Sequence, residues 1–443
     1  MRNILQPEFE GYPRTRLNEK AIALEKGRFI EGVSSVPVLL KPLDSSEYKV
    51  KFKNEEVKND VGAKAEDFIY MIDNSDGIKA AVMGHAPHWR NVSTFLDTSW
   101  TDTNGKPHYF FDVSTKGIGI VKSEVLEDYD YDTLKVSNEY DVNINLGHAN
   151  KDDFFWMEDL VTFTQKLNSI GIRSELYWAI AEVDKISYNG ELYDVADAKR
   201  QGLVHRSKDN NPYIGVRLLK SNHRIEDYSK KTSPDDKREM LLSVYDAFNK
   251  ETTLTGRAFP QLDINNPEHQ KIYFETVLTQ HVQNLALLIN NGLTYYHMHS
   301  SNLTLMGEIV DTAVVESVNI NQTDQFQNFE EEYDTSARTD LYKGIRLGYL
   351  KDIRDCLTGI RSLFRSLNND GYKVLNRDEA HSKIVATFNG IFDKEKMKIF
   401  DSETDVEKLL QVVEEISRRI LVERETLPAL KRNGIENWNL RSL

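Results

Sequence analysis

Thiols are almost absent, since the chain of 443 residues has a single cysteine, Cys356. One thiol excludes an intrachain disulfide and any zinc site built from several thiolates, and it fits a reducing compartment. Long apolar runs are missing too. None approaches the roughly 20 residues of a membrane helix. The start, MRNILQPEFEGYPRTRLNEK, carries charges of both signs and no apolar stretch of signal-peptide length. A cytoplasmic protein with no membrane association is the expectation. Positive charge is in deficit, the formal net charge being -14. That balance speaks against a general affinity for nucleic acid or anionic lipid, because both need a positive surface that displaces counterions. Internal repeats and low-complexity segments are absent. The acidic runs EDYDYD (Glu127 to Asp132) and NFEEEYD read as solvated loops, with calcium as the alternative, since neither has the spacing of a calcium loop.

What is present is ordinary for a folded chain: 40% hydrophobic and 28% charged residues, enough for a substantial core in two lobes or two to three domains. Two textures divide it. From about residue 30 to 220 there are short alternating or apolar runs punctuated by turns, as in TDTNGKPHYFFDVSTK and DKISYNGELYDV, where Asn-Gly marks hairpins. One long helix interrupts them, FFWMEDLVTFTQKLNSIG, with Met157, Leu160, Val161, Thr164 and Leu167 on one face and Gly171 placed to end it. After about residue 235 helical periodicity takes over. Phe274, Leu278, Val282, Leu285 and Ile289 share a face that closes at Gly292, and two later segments repeat the theme. The expected fold class is α+β, with two lobes and a cleft between them. Residues 1–225 would form an N-terminal region and a small β-rich lobe with one main helix, and residues 226–443 a larger helical lobe with a helical extension.

The stretch YYHMHSSNLTLMGEIVDTAVVES, Tyr295 to Ser317, sets Asn302 nine residues before Asp311 in a short, mostly apolar segment. Directly after the helix closed by Gly292, it reads as a strand-turn-strand. An amide oxygen and a carboxylate, with room for phosphate and water, are what Mg2+ prefers. A hydrogen-bonded hairpin is the plainer alternative. Lys116 ends the strand YFFDVSTKG, where alternation puts Phe110, Asp112, Ser114 and Lys116 on one side. Glu158, or Asp159, on the lobe's helix would pair with that lysine. A strand lysine held by a helix glutamate, with two metal ligands in a second lobe, is the working arrangement of protein-kinase-like phosphotransfer folds. The histidines of HMH, His297 and His299, lack an evident third metal ligand and read as packed or hydrogen-bonded rings.

At these residues the chain resembles the selenoprotein O family, protein-kinase-like enzymes that transfer AMP from ATP to protein hydroxyls. SSNLTLMGEIVD is similar to that family's TDNMSISGETID type of motif, with the same Asn-to-Asp spacing, and VRLLKSNHR to its R-V-A-P-S-H-I-R stretch, with Arg217, Ser221 and Arg224 at matching intervals. FFDVSTKGIG resembles its strand ending in Leu-Lys-Gly-x-Gly, GHAPHW (Gly84 to Trp89) its Gly-His-Gln-Phe-Gly-x-Trp, and LNSIGIRSELYWAIAEV its helix-to-strand segment. The likeness runs in order from about residue 80 to 315. It implies that Asn302 and Asp311 hold Mg2+, that Lys116 contacts the phosphates of ATP and pairs with Glu158, and that Arg217 and Arg224 contact the nucleotide. The α-phosphate would face the acceptor, a protein or small-molecule hydroxyl, and pyrophosphate would leave.

The sequence departs from the family where proton transfer is concerned. The position of the family's aspartate base, immediately before the metal asparagine, is Ser301, which accepts no proton near neutral pH; His299 is the candidate substitute. The Gly-Asp-Gly-Arg loop over the phosphates is not recognisable after Trp89, and the aspartate-tyrosine-glycine is Asp311-Thr312-Ala313. The chain also ends NWNLRSL, without the family's carboxyl-terminal redox residue. Two expectations therefore stand: an AMP transferase, and a pseudokinase-like module that binds nucleotide or partner without catalysis.

Overall fold

The computed structural model describes residues 37–72, 82–88, 91–119, 148–149, 160–188, 191–202, 211–230, 234–256, 261–317, 345–400 and 404–422. Two compact units emerge. One comprises Met1–Ile170, Ser174–His223 and Lys230–Ile264; the other comprises Gly171–Arg173, Arg224–Ser229 and Asn265–Leu443. The described part is α+β, as the sequence textures require.

The first unit is built on strands β1 (Pro37–Pro42), β2 (Tyr48–Lys53), β3 (Lys58–Asn59), β4 (Tyr70–Ile72), β5 (Val82–His88), β6 (Asn91–Thr101), β7 (Pro107–Lys116), β8 (Leu176–Val183), β9 (Lys185–Tyr188), β10 (Glu191–Asp194) and β11 (Tyr213–Leu219). The main sheet runs β2-β8-β11-β7-β6-β5-β1-β4, with β3 beside β6, while β9 and β10 form a separate hairpin. The first Asn-Gly turn, Asn104-Gly105, joins the paired strands β6 and β7 as expected, while Asn189-Gly190 lies outside the described residues. In the first, the Asp102 carboxylate accepts from the Asn104 and Lys106 amides at 2.8 and 2.9 Å. Gly105 takes the left-handed φ of 79° that the turn needs. Helix α1 (Leu160–Ser169) lies on β8 and buries Leu160, Val161, Thr164 and Leu167, the face its periodicity marks. Met157 lies outside the described residues. Helix α2 (Val195–Gln201) closes on the left-handed Gly202.

Helix α3 (Ile225–Lys230) opens on residues of the second unit, and α4 (Pro234–Thr255) returns to the first. Here the structure differs from the expected division at 225/226, and the sheet unit has a second long helix. The helix buries Met240, Leu241, Val244, Tyr245, Ala247 and Phe248, and two ion pairs tie it to the sheet unit. Lys220 pairs with Glu251 of α4 at 2.8 Å with both side chains buried, and Lys250 of α4 reaches Asp97 of β6 at 2.9 Å. Hydrophobic periodicity carries no trace of such ties.

The second unit is helical: α5 (Pro267–Asn290), α6 (Leu347–Asn369), α7 (Arg377–Ile391), α8 (Lys394–Phe400) and α9 (Val406–Leu421), with the two-residue strands β12 (Leu293–Thr294) and β13 (Glu316–Ser317) paired antiparallel. Asn266 caps α5, accepting from the Glu268 amide, and Pro267 occupies its first turn. Phe274, Leu278, Val282, Leu285 and Ile289 are all buried, and the helix ends before Gly292 at φ 65°. The β12–β13 pair brackets the segment 295–315, which is not the expected strand-turn-strand: it holds turns, the isolated bridge Leu303–Ile309 and the short turn Thr312–Val314. Among the described residues no helix is long and apolar enough to cross a membrane.

Candidate nucleotide and metal site

The segment between β12 and β13 is held from three sides within its own unit. Behind it, α5 donates: Tyr273 Oη to the Leu305 carbonyl at 2.9 Å, His281 Nε2 to the Thr304 carbonyl at 3.0 Å, and Asn284 Nδ2 to the Gly307 carbonyl at 3.0 Å. Below it, the first two residues of α3 bind along its backbone, the Ile225 amide to the Leu303 carbonyl and the Glu226 amide to the Ser300 carbonyl. On the third side stands α6. Its Gly348, Asp352 and Gly359 fall within about 40° of one another at helical pitch. A Cβ at Gly348 would sit 2.5 Å from Thr294 Oγ1, and one at Gly359 2.8 Å from Leu303 Cδ1. Between the two glycines, the Asp352 carboxylate accepts from Thr294 Oγ1 at 2.8 Å and from the Tyr295 amide at 2.7 Å. Absent side chains let the loop approach, and the carboxylate fixes it there.

Burial pushes the Asp352 carboxyl up to about 7, against the donors that favour its charge. Between pH about 4 and about 7 the folded chain therefore holds a proton that the unfolded chain lacks. This group's contribution to stability is present at low pH and is lost as pH rises through about 7. His281 and His297 act in the opposite sense, because burial lowers each to about 4. Their neutral rings contribute stability that is lost as pH falls from about 6.5 toward 4. In paired urea titrations, the unfolding free energy of the parent minus that of Asp352→Asn should grow as pH falls from about 7.5 to about 5. A constant difference would mean that the carboxyl stays ionised inside the fold.

This support aims the two oxygens of the expected clamp. Asn302 donates through Nδ2 to the His297 carbonyl at 3.1 Å, which fixes its amide and turns Oδ1 the other way. Asp311 sits at φ 59°, one of two described non-glycine residues with left-handed backbone, and heads the short turn Thr312–Val314. Such strain is stored where surroundings hold it, and aspartate tolerates it better than most residues. Asn302 Oδ1 and Asp311 Oδ2 meet the same group, the Arg224 guanidinium: Nη1 lies 3.3 Å from Asn302 Oδ1, and Nη2 lies 3.4 Å from Asp311 Oδ2. Nη1 also donates to the Ser301 carbonyl at 2.6 Å. Two hard oxygens converging on one cation form a donor pair of the kind that suits Mg2+. Among the described residues no cluster of three or more His, Cys, Asp or Glu offers a metal site. His299 Nδ1 and the Ser301 hydroxyl share a hydrogen bond. Burial lowers the His299 pKa, so its ring is neutral near pH 7.

The remaining expected residues lie on the sheet. Strand register sets Ser114 opposite both Ser93 and Arg217, and Lys116 opposite Asn91 and Gly215. Cross-strand neighbours share a face. Asp112, Ser114 and Lys116 therefore line one polar, buried strip with Asn91, Ser93 and Arg217. Within it, Asp112 accepts from the Asn222 amide at 2.8 Å, and Asn222 Nδ2 donates to Ser93 Oγ at 2.6 Å. Arg217 is fully buried; it pairs with Glu175 at 2.9 Å and donates to Ser114 Oγ at 3.1 Å. Ser221 accepts from the His223 amide in a local turn. Glu158, Asp159, Trp89 and both acidic runs lie outside the described residues.

Sequence reasoning missed Glu175, Thr294, Gly348, Asp352 and Gly359. Asp352 left a signal, since it interrupts the apolar face made by Tyr349, Ile353, Cys356 and Ile360. A carboxylate on such a face needs partners.

No protein-family model matches the chain, and no curated protein is similar to it. Among solved structures it is similar to the crystal structure of a Toxoplasma gondii specific rhoptry antigen kinase domain, over 91% of this chain and 92% of that one, at 10% identity and a TM-score of 0.26. A superposition that loose transfers no residue role.

Proposed function

We propose that the chain is an ATP- and Mg2+-dependent transferase of the protein-kinase-like class, moving AMP from ATP to a hydroxyl of a protein or small-molecule acceptor at a selenoprotein O-like site. The observation that carries this reading is the convergence of Asn302 Oδ1 and Asp311 Oδ2 on a single cation. Mg2+ held by those two oxygens would supply charge neutralisation for the transferred phosphoryl group. The chain's own residues supply the rest. Arg224 offers a permanent charge and forked donors for phosphate oxygens. His299, neutral and hydrogen-bonded to Ser301, takes the proton of the attacking hydroxyl in place of the family's aspartate. The roles of Lys116 and Arg217 rest on the family resemblance. For Arg217 to meet phosphate, Glu175 must release it.

A second reading, a pseudokinase-like module that binds nucleotide without turnover, draws on Ser301. A positioned base contributes about 10²–10⁴-fold, and this position has a hydroxyl instead. ATP labelled at the α- and, separately, at the γ-phosphate distinguishes the two. Label retained from the α-phosphate alone is expected, and Asp311→Ala should reduce it by at least about 10²-fold. Retention from the γ-phosphate alone would make the chain a kinase. Binding without label from either position would establish the module.

A further inference from the structure

We propose that Arg224 is the resident counter-ion of the Asn302–Asp311 pair, and that a divalent cation enters only by displacing its guanidinium, which then turns to an anionic ligand. The inference rests on the reading of Asn302 and Asp311 as a metal clamp. Both oxygens that would bind the ion already face Arg224, at 3.3 and 3.4 Å. Mg2+ needs its oxygens at about 2.0–2.1 Å, so ion and guanidinium exclude one another.

The guanidinium is held tightly at one point and loosely at the others. Its bond to the Ser301 carbonyl is 2.6 Å, whereas the two clamp contacts exceed the roughly 2.7–2.9 Å of a good charge-assisted bond. Its Nε is buried and has no hydrogen-bond acceptor among the described residues. The Arg224 side chain is about nine-tenths buried, so that orphaned donor is costly. It marks a guanidinium whose hydrogen bonding is incomplete until a further acceptor arrives. The main chain does not have to move in the exchange. The Arg224 amide is fixed to Asp227 Oδ2 at 3.0 Å, and its neighbour Ile225 to the Leu303 carbonyl. A rotation of the side chain away from the clamp is enough.

Displacing a bound charge weakens ion binding, so removing that charge should strengthen it. Mn2+, counted by the electron paramagnetic resonance of the free ion without nucleotide, is the probe. Arg224→Met should bind it at least about 10-fold more tightly than the parent, within the range of ordinary coupling energies. Mn2+ should also raise the melting temperature of Arg224→Met more than that of the parent. Adding Asp311→Asn to Arg224→Met should abolish the gain. If Arg224→Met binds Mn2+ no better than the parent while Asp311→Asn weakens binding in both, the counter-ion role is wrong and the clamp stands. If Asp311→Asn and Asn302→Ala change nothing in either background, the clamp itself is wrong. Should Arg224→Met fail to fold, Arg224→Gln carries the same comparison, since its amide can still donate to Ser301.

Discussion

Glu175→Gln should lower the stability of the protein by about 3–5 kcal/mol, the usual result of breaking a buried ion pair by removing one partner. Glu175 and Arg217 are both fully buried and 2.9 Å apart, so the substitution leaves a guanidinium charge without its carboxylate in the middle of the sheet. Replacing both residues by methionine should recover most of the loss, because apolar side chains of similar volume avoid desolvating two charges. Urea titration of the single and double variants gives both numbers. A loss below about 1 kcal/mol for Glu175→Gln would show that the charge on Arg217 is balanced elsewhere. The double variant separates structure from function: unchanged ATP affinity in a folded Met/Met protein would remove Arg217 from the nucleotide site.

Gly348→Val should impair the proposed transfer by about 10²-fold, with a stability loss of roughly 2–5 kcal/mol. The added Cβ would meet Thr294 Oγ1 at 2.5 Å and Thr294 Cβ at 3.0 Å. Neither atom is the far end of a flexible chain, and Oγ1 is engaged by Asp352. The segment that carries Asn302 must then rise from α6, and misplacement of a positioned group by about 1 Å is enough for a loss of that size. Single-turnover kinetics with labelled ATP, on protein shown to be folded by circular dichroism, measure the effect. Parent-like turnover in Gly348→Val would show that α6 does not position the loop.

The strands, turns and main helices were legible because they follow from local rules. Period-2 and period-3.6 patterns, Asn-Gly turns and terminal glycines each act over a few residues, and the described turn at Gly105 and the helix ends at Gly171 and Gly292 fall where they were expected. The Asn302–Asp311 spacing was legible as a pattern; its aim was not. That aim depends on Asn302 Nδ2 binding the His297 carbonyl and on Arg224, which is distant in sequence. The Glu175–Arg217 pair and the Lys220–Glu251 tie join residues far apart in the chain, so no window along the sequence contains both partners. Asp352 was readable in principle as a carboxylate on an apolar face, and it passed unremarked because a helix with one charge on that side still reads as amphipathic.

Cys356 is fully buried in α6, where its Sγ faces the His281 carbonyl at 3.8 Å, and burial raises its pKa far above the ordinary thiol range. In the native state it has neither the exposure nor the thiolate that alkylating reagents require. The helix that carries it is the one whose glycines and aspartate seat the Asn302 segment. As the chain has no other thiol, the rate of alkylation under native conditions times the release of that helix from its seat. The unaltered protein thus carries its own single-site clock for the opening of the loop's support, readable by mass without any introduced label.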